Sequence, residues 1–312
     1  MTTGRPLFRA WPFIYVLGPN QDSRLASVAG NAVITNIPLK IDQDSPFVLR
    51  ARGFRVQYDP TVASTSRQQT GLNQVQMRYS GPDRNYFSQV PVPQNVEMYA
   101  GGQAGRPKPV YPNVIYPASS TLFMDVTNNG MTTLINLTFY WFGVKMFPWG
   151  LREEFTYPDV FGTVPFSYDG TVASVPVTTA SQGVRNVFTV DNDTDFVLRS
   201  ISSGITTGSN LTWEIFIRLW DSYVYPYSSD FVHLDMIAGN PFSLITFPVD
   251  PTPTFISPAW GNPGWFFVPE IYIPFKHFKY YDILRTDGPF VGQGAVTQNF
   301  PILFRGAKVF PK

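Results

Sequence analysis

The 312-residue chain has no cysteine, only two histidines, and a charged fraction of 14%. Without cysteine there is no disulfide framework, no thiolate nucleophile and no sulfur-ligated metal. A secreted module held by disulfides is excluded, whereas an extracellular particle made in a reducing cytoplasm is not. The histidines stand apart: His233 alternates with Val232 and Leu234, and His277 lies in Phe275-Lys276-His277-Phe278. A general base needs an oriented partner and a nucleophile. Neither histidine has a Ser or Asp nearby in a recognisable motif, so both are read as structural or surface residues. There is also no Gly-X-Ser-X-Gly elbow, no His-Glu-X-X-His and no phosphate-cradling glycine loop. Glu153 and Glu154 are adjacent, and in an extended chain they point in opposite directions, which does not suit a glycosidase pair. No enzyme and no cofactor is expected.

Other absences concern location and partners. Charged residues fall well below the usual quarter or so of a globular chain. A free monomer needs surface charge to stay apart from its neighbours, so this deficit predicts surface hidden in an assembly. The formal net charge of +1 offers no bulk attraction to nucleic acid or an anionic membrane. The segment from Met1 to Arg9 lacks the unbroken apolar core of a signal peptide. The most apolar windows, Leu134 to Phe147 and Trp265 to Phe275, are too short or too broken by proline to span a bilayer. A soluble protein without a cleaved export signal is expected.

What the chain has is aromatic residues (16%), 29 prolines and 24 glycines. Aromatic and β-branched side chains suit a pleated, half-buried surface, and glycine and proline punctuate turns. The periodicity is two. In Leu211 to Leu219 one parity reads Leu, Trp, Ile, Ile, Leu, and the other carries Thr, Glu and Arg. Leu134 to Phe147 is apolar on both parities, which predicts a central strand covered on both faces or meeting another subunit. Turn signals at Asn128-Asn129-Gly130, Ser80-Gly81-Pro82-Asp83, Asp169-Gly170 and Asp287-Gly288-Pro289 separate the runs. No amphipathic helix longer than about two turns is legible.

The sequence also repeats itself. Asp42-Gln43-Asp44-Ser45-Pro46-Phe47-Val48-Leu49-Arg50 matches Asp191-Asn192-Asp193-Thr194-Asp195-Phe196-Val197-Leu198-Arg199 at an offset of 149. Phe142 to Pro148 aligns with Arg305 to Pro311 at an offset of 163, both ending Gly-X-Lys-X-Phe-Pro. Between them, Val114-Ile115-Tyr116-Pro117 resembles Ile271-Tyr272-Ile273-Pro274, and Asp125 falls opposite Asp282. A growing offset is what loop insertions in a second copy produce. The reading is all-β: two tandem antiparallel β-sandwich, jelly-roll-like domains related by internal duplication. An N-terminal arm is placed at 1–25, the first domain at 26–147, a connector at 148–165 and the second domain at 166–312. The second domain carries a Pro- and aromatic-rich insertion at 239–269.

Tandem sandwich domains, no cysteine, few charges and long Pro-rich loops resemble the jelly-roll structural proteins of bacteriophage virions. These are either double-jelly-roll major capsid proteins or minor capsid, decoration and neck proteins. The resemblance covers the whole architecture and rests on no short motif. It implies a capsid protein that assembles with itself, as a homotrimer presenting six domains, and with other virion proteins. It implies residence in the virion after synthesis in the host cytoplasm, with no specific nucleic-acid partner. The alternative is a receptor- or carbohydrate-binding β-sandwich of a virion or cell surface, for which the aromatic clusters Trp220, Tyr223, Tyr225, Tyr227 and Trp260, Trp265 are candidates.

Three further sets of residues could carry chemistry or contacts. Asp191, Asp193 and Asp195 alternate like the opening of a calcium loop, but Phe196 and Ser202 stand where that loop needs Gly and Glu. A tight turn before a strand is preferred, and no metal site is assigned. Arg5, Phe8, Arg9, Trp11 and Phe13 in the arm, with Trp260 and Trp265 in the insertion, are expected at subunit interfaces, where aromatics and arginine concentrate. The sequons at Asn136, Asn192 and Asn210 are read as incidental.

Overall fold

The computed structural model describes residues 8–58, 75–93, 108–131, 133–148, 160–170, 172–173, 183–203, 213–221, 223–233, 237, 267, 270–287, 299–300 and 302–311. The chain divides into two compact units, residues 1–62 with 66–154, and residues 155–312 with 63–65.

In the first unit the strands are β1 (Phe8–Leu17), β2 (Ser27–Val28), β3 (Val33–Lys40), β4 (Phe47–Tyr58), β5 (Val75–Tyr79), β6 (Val92–Pro93), β7 (Lys108–Tyr116), β8 (Thr121–Asn128) and β9 (Leu134–Pro148). One sheet runs β1-β9-β4-β7, with β2 also on β9, and the other runs β3-β8-β5-β6. In the second unit they are β10 (Val160–Asp169), β11 (Val172–Ala173), β12 (Val184–Thr189), β13 (Asp195–Ser203), β14 (Trp213–Trp220), β15 (Val232–His233), β16 (Ile271–Ile273), β17 (Phe278–Asp287), β18 (Asn299–Phe300) and β19 (Ile302–Pro311). Its sheets run β10-β19-β13-β16 and β12-β17-β14-β15, with β11 paired to β18. Substituting equivalent strands turns one order into the other. Two antiparallel sheets with four main strands each, interleaved in this order, make a jelly roll, so the protein is all-β with the same main-strand order in both units.

Ring contacts join the two sheets of the second unit across its core. Phe188 of β12 stacks on Phe304 of β19 with centroids 4.6 Å apart, and Tyr281 of β17 meets Phe304 edge-on at 5.1 Å. In the first unit the Tyr116 hydroxyl of β7 donates to the Ser80 carbonyl just beyond β5, at 2.9 Å. The period-two reading holds in β14, where Ile217 and Leu219 are buried and Arg218 between them is not. The chain makes a 3-10 turn at Ser23–Leu25. Its cap, Asp22, accepts from the Arg24 N–H.

Two expected boundaries are corrected. Most of the supposed arm is β1, paired residue by residue with β9 from Phe8↔Pro148 to Leu17↔Phe139. Trp11, Phe13 and Tyr15 within it are buried. The segment was misjudged because Pro12 and apolar residues of both parities hide strand periodicity. The supposed connector at 148–165 also ends early, since β10 starts at Val160.

A repeated carboxylate–lysine site

The turn between β3 and β4 carries Asp42 and Asp44, and β9 crosses beneath it. Lys145 of β9 donates to Asp42 Oδ2 at 2.6 Å and to Asp44 Oδ2 at 2.9 Å. Its side chain is only 2% exposed, and its Nζ sits 4.1 Å from the centroid of the Phe13 ring. A buried ammonium needs paired charge, and two carboxylates plus an aromatic face supply it. The Asp42 N–H donates to the Tyr15 hydroxyl at 2.9 Å. Burial pushes the Tyr15 phenol well above its ordinary pKa, so Tyr15 stays neutral.

The second unit repeats this set. Lys308 of β19 donates to Asp191 Oδ2 at 3.0 Å and to Asp193 Oδ2 at 2.9 Å. Its Nζ lies 4.4 Å from the Phe166 ring centroid, and the Asp191 N–H donates to the Tyr168 hydroxyl at 3.1 Å. Donating to Asp193 and Asp191 pushes the Lys308 ammonium up to about 12. The same Lys308 bond holds the Asp193 carboxyl below its ordinary value.

A glycine makes each site geometrically possible. In β9, a Cβ on Gly143 would collide with the Val48 carbonyl and lie 2.6 Å from the Phe47 ring. In β19, a Cβ on Gly306 would collide with the Val197 carbonyl and lie 2.8 Å from the Phe196 ring. The open space lets Phe47 reach Tyr15 across the intervening strand at 4.8 Å, and Phe196 reach Tyr168 at 4.9 Å.

Two loops at this end also match. After β5, Gly81 N bonds Asn85 O and Arg84 N bonds Gly81 O. After β14, Asp221 N bonds Tyr225 O and Val224 N bonds Asp221 O. Arg84 and Val224 occupy the left-handed region at φ 67° and 62°. Between β7 and β8, Ser119 N bonds Asp42 O; between β16 and β17, Lys276 N bonds Asp191 O. Those two residues are left-handed at φ 60° and 61°.

The chemistry of this site is internal. Asp191 and Asp193 are engaged by Lys308, and Asp195 turns elsewhere, accepting the Tyr272 hydroxyl and the Phe275 N–H. The three alternating carboxylates therefore do not converge. Among the described residues no group of three potential ligands gathers around a point.

The remaining candidates scatter. His277 lies half-buried between β16 and β17, its N–H on the Pro274 carbonyl. His233 pairs with Phe216 in β15. Of the tyrosine–tryptophan cluster, Tyr227 is buried, Tyr223 is exposed, and the Trp220 indole donates to Asp282 at 2.6 Å. Asp282 also binds Arg185, at 2.8 Å and 3.0 Å. Its counterpart Asp125 binds Arg78 at 2.7 Å and the Tyr86 hydroxyl at 3.1 Å. Phe8 and Arg9 lie in β1. Asn136 is in β9 and left-handed, and Asn192 is exposed in its turn. Arg5, Glu153, Glu154, Asn210, Trp260 and Trp265 lie outside the described residues. Sequence reasoning missed Lys145 and Lys308 as partners of the paired aspartates. The available signal was that both repeats keep Asp-X-Asp at one end and Gly-X-Lys at the other in a chain poor in charge.

No family model matches the chain, and no curated protein does. Among solved structures it is similar to the Macrobrachium rosenbergii nodavirus, at 10% identity and a TM-score of 0.25, over 98% of this chain and 94% of that one. It is similar to a peptide-N(4)-(N-acetyl-β-D-glucosaminyl) asparagine amidase at 9% identity and 0.21, over 98% and 97%. It is similar to the infectious bursal disease virus VP2 subviral particle at 10% identity and 0.24, over 100% and 74%. Similarity at this level assigns no function.

Proposed function

We propose that the chain is a non-enzymatic structural protein of a virion, assembling with itself into or onto a bacteriophage capsid. On this reading its two jelly rolls descend from one duplicated domain, and a homotrimer presents six similar domains around a ring. The observation that carries the reading is the pair of jelly rolls with equivalent strand order, equivalent loop hydrogen bonds and the same lysine site within one charge-poor chain. The paired carboxylates and lysines, which an enzyme would present to a substrate, are spent on holding each unit's turn to its central strand. The particle would reside in the virion after synthesis in the host cytoplasm. Among the described residues no helix is long and apolar enough to cross a membrane.

Light scattering and negative-stain imaging of the purified protein test this. Compact trimers with six-lobed outlines, or closed shells, are the expected result. A monodisperse monomer at high concentration overturns it and leaves glycan binding as the reading to screen.

A further inference from the structure

The chain has no cysteine, so no disulfide can tie its distant segments together. The first unit nevertheless brings an amine and a carboxyl, from a central strand and a remote turn, into reacting distance. Lys145 Nζ lies 2.6 Å from Asp42 Oδ2 and 2.9 Å from Asp44 Oδ2. That sets Asp42 Cγ, one bond behind its oxygen, in the range of about 3–3.5 Å from which a held nucleophile attacks. Both reactants are fixed from behind. The Asp42 N–H donates to the Tyr15 hydroxyl at 2.9 Å, and the Asp42 carbonyl accepts from the Ser119 N–H at 3.0 Å. The lysine side chain is buried, with Nζ 4.1 Å from the Phe13 ring centroid and 5.8 Å from that of Tyr15.

We propose that Lys145 and Asp42 close into an isopeptide bond after folding, with Asp44 carrying the proton. The newly folded chain holds the ion pair described above. Asp44 takes one proton from the ammonium and leaves a neutral amine, which attacks Asp42 Cγ. Asp44 then returns that proton to Asp42 Oδ2, the nitrogen gives up a second proton to the same oxygen, and the oxygen leaves as water. One Nζ–Cγ bond forms and one Cγ–Oδ2 bond breaks. A positive and a negative charge disappear together, and no oxidant or co-reactant enters. Two features favour closure. A neutral amide is easier to bury than an ammonium, and the Asp42 side chain, 49% exposed, gives the released water a way out.

The second site has the same residue types in a different setting. Lys308 is 12% exposed and faces two exposed carboxylates. It donates to Asp191 Oδ2 at 3.0 Å and to both oxygens of Asp193, at 3.1 Å and 2.9 Å. These bonds hold it as an ammonium, pushed up to about 12, so the attacking amine does not form there. The chain therefore gains one cross-link, between residues 42 and 145. It constrains the unfolded first unit as a disulfide would. The bond lies within one unit, so it does not depend on assembly.

Intact-mass spectrometry of the purified full chain, followed over several days, tests this. The wild type is expected to become lighter by one water, not two. Its tryptic digest is expected to hold a branched peptide uncut after Lys145, with fragmentation placing the branch at Asp42, while cleavage after Lys308 stays normal. Asp44→Asn keeps both reactants and removes the proton carrier, so it should still show the full mass when the wild type has lost its water. Lys145→Arg keeps the cation but cannot close, so it should hold the full mass throughout and melt below the aged wild type. An unchanged wild-type mass, a water lost without the branched peptide, or a branch at Lys308 instead overturns the cross-link. Closure of Asp44→Asn at the wild-type rate overturns the role of Asp44. A monomer in light scattering sinks the assembly reading and leaves the cross-link to be decided by mass alone.

Discussion

The central strands β9 and β19 occupy the same place in the two sandwiches and are buried differently. In β9 both parities are inside: Phe139, Trp141 and Lys145 on one, Tyr140, Phe142 and Val144 on the other. In β19 the equivalents of the first parity stay buried or nearly so, but the second opens at Leu303, 41% exposed, and at Arg305, while Ala307 stays buried. One backbone plan therefore carries two surface chemistries. The residues that the topology itself needs, Gly-X-Lys and the facing aspartates, recur in both units. Those that answer to what lies outside the sheet do not.

The largest expected effect breaks this comparison at its most unequal pair. Phe142→Ala deletes a fully buried ring and should cost the first unit about 3–5 kcal/mol. Arg305→Ala at the equivalent position should stay within about 0.5 kcal/mol. Denaturant unfolding of both variants measures this, and equal losses would mean that the two outer faces are covered alike.

A second pair tests what the units share. Gly143→Ala and Gly306→Ala each force a methyl against a carbonyl and an aromatic ring, and each should cost about 1–3 kcal/mol or more by overpacking. The prediction fails if one variant melts like the wild type, since that strand would then not need its close approach.

The lysines should again separate the units, less strongly. Lys145 is 2% exposed and Lys308 12%. Lys145→Met removes the charge-assisted bonds of a buried ammonium and should cost about 2 kcal/mol. Lys308→Met, facing more exposed carboxylates, should cost less. A reversed order in a melting series would show that burial does not set the strength of these bonds.

The smallest effect is a pH slope. Lys308 depresses the Asp193 carboxyl. Its contribution is therefore complete above the ordinary aspartate pKa of about 4 and is lost as pH falls through the depressed value. The second unit's melting temperature should fall across that acid window, and Lys308→Met should flatten the fall. A slope identical in wild type and variant would show that the bond contributes nothing measurable.

Much of this was legible in the chain. The alternation in Leu211 to Leu219 announced β14, the doubly apolar run announced β9, and the Asp125–Asp282 correspondence placed two carboxylates on equivalent strands. The segment at 8–17 misled because Pro12 and mixed parity mask a strand whose two faces are both apolar. The aspartate–lysine bonds were invisible for another reason. Asp42 and Lys145 are 103 residues apart, and linear spacing carries no information about which distant strand lies beneath a turn.

Composition and periodicity by themselves determined that the chain is all-β, poor in charge and repetitive, because those properties follow from local backbone preference and the two-residue pleat. Only the tertiary structure decided the jelly-roll order and the pairing of lysine with aspartates. Each of these depends on contacts between strands far apart in sequence, where the geometry of the sheet, not the neighbouring residue, selects the partner.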